Sequence, residues 1–133
     1  MKFVLMYDLQ KEEKYIQDVQ KATLHTENYG VLVENNLLFG TKEWFEAIRV
    51  GKVKIFKIDG VITNTRWIGQ NNDTEEFEIT NNLNSEKDWW NTRGKSSFYK
   101  IGKRVKLSYI MTKPKKPDPF YSGKQLLTLE VEE

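Results

Sequence analysis

The chain offers one imidazole, His25, and no cysteine. That pair of facts removes thiolate nucleophiles, disulfides, cysteine zinc sites and any two-histidine metal site within one chain. A hydroxyl nucleophile needs a base beside it, and no Gly-x-Ser-x-Gly turn presents one. His25 follows a helical stretch and precedes a polar one, the setting of a solvated or structural histidine. Phosphate-cradling turns need clustered glycines whose N–H groups face the anion. The eight glycines here are scattered, so a P-loop or dinucleotide-binding turn is excluded. The densest carboxylate run is Asn71–Glu78, in which Asp73, Glu75 and Glu76 could face a hard cation. It lacks the spacing of an EF-hand, and its acidic residues alternate with Phe77 and Ile79 as on a solvated strand face. The sequence therefore implies no metal, no cofactor and no enzyme.

What remains is binding chemistry. Net charge is only +2, but it is unevenly placed. Residues 1–51 carry 6 basic and 8 acidic side chains, residues 52–116 carry 14 and 7, and residues 117–133 carry 1 and 4. The basic middle also holds three of the four tryptophans. Cations interleaved with aromatic rings can neutralise phosphates and stack bases. Arg66, Arg93, Lys95, Lys103 and Arg104 are the candidates for the first role, Trp67 and Trp90 for the second. Lys113-Pro114-Lys115-Lys116-Pro117 reads as a basic, solvated linker.

Several elements must position these residues. Residues 2–7 read as a short strand. Tyr15, Ile16, Val19 and Ala22 fall on one face of an amphipathic helix over 11–22. Tyr29–Val33 and Leu37–Phe39, around Glu34-Asn35-Asn36, read as a β-hairpin. Thr41 as N-cap and Gly51 as stop bracket a helix over 42–50, with Trp44, Phe45 and Ile48 on one face. Five strands follow: a long one over 53–68, bent or bulged at Gly60; then 75–80, 86–91, 104–112 and 125–131. Val105, Leu107, Tyr109 and Met111 should face the core, as should Leu127, Leu129 and Val131.

This order resembles the OB-fold, a five-stranded Greek-key barrel. The residues that carry the resemblance are Lys57–Ile62, Phe77–Ile79 and Tyr99–Leu107, whose Tyr-x-x-Gly-x-x-Val step also occurs in SH3-like barrels. Residues 39–112 are also similar to short, uncharacterised bacterial and phage-type proteins with a Gly-x-x-x-Trp-aromatic-x-x-Ile helix, here Gly40, Trp44, Phe45 and Ile48. The fold expected is α+β, mainly β: an OB-like or SH3-like five-stranded barrel over 52–133, with a helix/hairpin/helix extension over 1–51 packed on it as one compact domain.

The apolar start, Phe3 to Tyr7, is too short for a secretory or spanning segment, so a cytoplasmic location and no membrane partner are expected. Two functions fit. One is single-stranded nucleic-acid binding through a basic, Trp-containing barrel face. The other is binding of a protein partner, as an inhibitor, an immunity-type factor or a subunit of a complex. A small anionic ligand is a third fit for the same basic residues.

Overall fold

The computed structural model describes residues 1–133. The elements run β1 (Phe3–Asp8), α1 (Glu13–His25), α2 (Lys42–Arg49), β2 (Phe56–Ile68), β3 (Thr74–Asn81), β4 (Lys87–Asn91), β5 (Arg104–Met111) and β6 (Lys124–Glu132), with short 3-10 turns at Leu9–Lys11 and Ser96–Phe98. The strands form one open sheet in the order β1-β6-β5-β2-β3-β4. A mainly β, α+β fold is thus present, but a closed five-stranded barrel is not. A sixth strand, β1, joins the sheet beside β6, and no ladder links β1 to β4 at the opposite edge.

Two compact units make up the chain, each drawn from separate stretches. The first comprises Met1–Asp8, Lys57–Ser108 and Leu127–Glu133. Its core is built by strand alternation: Ile62, Phe77, Ile79, Val105, Leu107, Leu129 and Val131 are all buried. Each buried aliphatic side chain of this size stabilises the fold by about 1.5–3 kcal/mol. Gly60 pairs with Asn81 in the β2–β3 ladder, and the register shift lies further on, between Ile62 and Asn64, not at the glycine. Gly60 is required for another reason: a Cβ there would collide with the Thr80 carbonyl oxygen. Beyond the end of β4, the Arg93 guanidinium lies 4.8 Å from the Tyr7 ring of β1. A side-chain contact, not a ladder, therefore brings the loop after β4 to β1.

The second unit comprises Leu9–Phe56 and Tyr109–Leu126. The Thr41 hydroxyl accepts from the Trp44 N–H at 3.2 Å and caps α2 as its sequence requires. Trp44 and Ile48 are buried, and Phe39 packs against Trp44 with ring centroids 4.6 Å apart. Gly40, at φ 77°, sits so close to Ile16 of α1 that a Cβ would strike its side chain. The expected hairpin over 29–39 is reduced to its turn. Asn35 and Asn36 take positive φ, and Glu34 bridges Leu37, but no strands flank them. The backbone partners come from elsewhere: Val31 bridges Pro114, and Leu32 N–H donates to the Lys113 carbonyl at 2.8 Å.

That pairing also corrects the reading of the proline-rich segment as a solvated linker. Lys115 donates to the carbonyls of Thr23 and Thr26, where α1 ends and its carbonyls lack helical partners. Lys113 pairs with Glu34 at 3.5 Å and Lys116 with Glu27 at 4.0 Å. In β5 the predicted alternation holds for Val105 and Leu107 and then changes phase: Ile110 is buried and Met111 exposed. The change falls where the strand passes from one unit's residues to the other's, after Ser108, and Tyr109 instead stacks on Phe56 at 5.2 Å.

Candidate partner-binding site

Adjacent residues of a strand point to opposite faces, so β2 and β3 divide their chemistry in two. On the outer face Arg66 lies opposite Glu76 and pairs with it at 2.8 Å, while its guanidinium stacks 3.9 Å from the Trp89 ring. Glu78 accepts from Thr63 at 2.7 Å and lies 3.8 Å from Lys87. These charges are matched within the chain.

The other face differs. There Trp67 lies opposite Glu75, beside the turn that carries Asp73. Together with Asn91, Arg93 and Ser96 they line an open recess of about 350 Å³. Trp67 is 53% exposed, in contrast to buried Trp44 and half-buried Trp89 and Trp90. The Ser96 hydroxyl donates to Glu75 at 2.5 Å, which fixes that carboxylate at the recess wall. Below it, the Tyr99 hydroxyl accepts from Arg93 N–H at 2.9 Å and donates to the Arg93 carbonyl at 2.6 Å. Burial pushes the Tyr99 hydroxyl pKa up to about 12. This clamp holds the loop that forms one rim.

The seven residues singled out in the sequence do not converge on one platform. Trp67 and Arg93 share the recess. Arg66 faces the other way. Trp90 lies opposite buried Phe77, on the core side of β4. Lys95 is exposed next to Ser96, Lys103 rests 5.5 Å from the Phe98 ring, and Arg104 pairs with Asp59 at 3.5 Å. The acidic run is also split: Glu75 enters the recess and Glu76 leaves it, so no three metal-ligating side chains gather. Asp73 and Glu75 as companions of Trp67 escaped the sequence reading. The polar turn after Ile68 carried the signal, since counting back from it pairs Trp67 with Glu75.

The second unit has a smaller recess, about 180 Å³, among Val31, Leu37, Trp44 and Ile110. Of the three charged residues that line it, Glu34 and Lys113 are already paired with each other, leaving Lys52. Neither helix is long and apolar enough to cross a membrane.

The chain is thus mainly β, with an open recess in each of its two units. The sequence model of the family described as immunity protein RhsI2 matches residues 1–131, and the chain belongs to that family. No curated protein matches it.

Proposed function

We propose that this chain binds a protein toxin and holds it inactive, without chemistry of its own. The family match over residues 1–131 carries this reading, because an immunity protein protects by acting on a toxin. The state of the cations supports a protein over a nucleic acid as partner. Arg66, Lys87, Arg104, Lys113 and Lys116 sit in ion pairs, and Lys115 is spent on helix carbonyls. Phosphate binding by these six of the fourteen basic residues in 52–116 would have to break their contacts, whereas a protein interface can be built from aromatic and arginine anchors in place.

The test is direct. The purified chain is mixed with the toxin it protects against, and toxin activity is followed as the molar ratio rises. Inhibition that completes at a fixed stoichiometry, with a complex of matching mass in size-exclusion chromatography, is expected. Full toxin activity in the presence of excess chain would overturn the proposal, as would protection that continues at a catalytic ratio.

A further inference from the structure

Within the first unit, aromatic faces are repeatedly covered by a cation from the same chain. Arg66 covers Trp89, Arg93 covers Tyr7, Lys103 covers Phe98 and Lys106 covers Phe3, at 3.9 to 5.5 Å. Three carboxylates on its strands are matched in the same way: Glu76 by Arg66, Glu78 by Lys87, Asp59 by Arg104. Trp67 breaks the pattern. Its ring is half exposed, and neither a cation nor another ring covers it. Asp73 and Glu75, on the same recess, have no cation within salt-bridge reach. Glu75 accepts from the Ser96 hydroxyl instead, and Asp73 from that of Thr74 at 3.4 Å. At Arg66 one cation stacks on Trp89 and pairs with Glu76; the recess has an aromatic face and two carboxylates but no cation seated on them. Arg93 at the rim is turned onto Tyr7, and it offsets only one of the two negative charges.

We infer that this recess receives a basic side chain, arginine or lysine, from the partner protein. This rests on the proposed toxin-binding function for the partner's identity, but not for the chemistry of the recess. The incoming cation would lie over the Trp67 ring, where the ring quadrupole attracts it. Its N–H groups would donate to Asp73 and Glu75 as charge-assisted hydrogen bonds. Arginine fits better than lysine, because its planar guanidinium can stack on the ring and reach a carboxylate at once.

Two measurements test this. In the first, toxin binding is compared for the wild-type chain, Trp67→Ala, Asp73→Lys and a control, Lys57→Ala, after each is shown to melt at the wild-type temperature. Weakening of about tenfold or more for Trp67→Ala, more still for Asp73→Lys, and no change for the control is expected. Equal toxin binding by wild type and both recess variants would overturn the inference while leaving the proposed function standing. In the second, an oligo-arginine peptide is titrated into the wild-type chain alone and followed by tryptophan fluorescence and by amide shifts of residues 67, 73 and 75. Saturable change at those residues, lost in Trp67→Ala and larger than with an oligo-lysine peptide of equal length, supports it. No change at those residues at low salt would overturn it, whatever the toxin does.

Discussion

Tyr99 shows how much a single hydroxyl can organise. It holds both backbone groups of Arg93 and is itself buried. Tyr99→Phe should cost about 1–3 kcal/mol, because Arg93 N–H and C=O lose their partner. The raised pKa adds a pH signature. The unfolded chain ionises this tyrosine near its ordinary value of 10, while the folded chain keeps the proton to about 12. The stabilising contribution is therefore complete below pH 10 and declines as pH rises towards 12. Urea melts at pH 8 and pH 11 should show a smaller alkaline loss for Tyr99→Phe than for wild type. At this scale the sequence disclosed residue types but not their company. The sequence offers Trp67 as a candidate stacking ring, yet its neighbours Asp73 and Glu75 come from another strand and the turn before it, and only the register joins them. Adjacent Trp89 and Trp90 must face opposite ways on a strand, but which one faces the core depends on pairing with Phe77, a tertiary fact.

Elements whose signals are local were legible. The Thr41 cap, the apolar face of α2, the strands β3 to β6 and the polar turns all follow from nearby residues. Elements that depend on distant partners were not. Residues 29–39 carry a hairpin pattern, but their backbone is claimed by Lys113 and Pro114, which local patterning cannot reveal. The phase change in β5 is of the same kind and can be tested by a contrast. Leu107→Asp should cost roughly 3 kcal/mol or more by burying an unpaired charge. Met111→Asp, at an exposed site, should stay within about 0.5 kcal/mol. Thermal melting that drops equally for both would reject the phase change. The lysine that closes α1 gives a further check. Lys115→Met keeps most of the apolar stem and removes the donors to Thr23 and Thr26. It should cost about 0.5–1.5 kcal/mol and speed amide exchange in the last turn of α1, with little change in the strands.

At the scale of the whole molecule, ion pairs are spread over both units, and no group of three metal-ligating side chains gathers. EDTA should leave the melting temperature unchanged; a large drop would mean that the fold depends on a metal. The composition conveyed the class, mainly β with two helices, because alternation and helical spacing survive in any topology. It did not convey how the sheet is ordered, since β1 could have paired at several edges and the pattern of apolar residues is the same in each.

The position of β1 has a consequence for how the protein comes to exist in a cell. Phe3 pairs with Glu132, and β6 is the only neighbour of β1 in the sheet. The first unit also needs Leu127–Glu133, and the second needs Tyr109–Leu126. While the ribosome is still making the chain, neither unit can finish until residues 109–133 are made, and β1 waits for β6, more than a hundred residues on. Contacts so distant in sequence slow folding and leave unpaired edges open meanwhile. A transcript cut short before β6 would yield no smaller working version. Folding would be all or nothing, set by chains that reach Glu132 and not by chains begun.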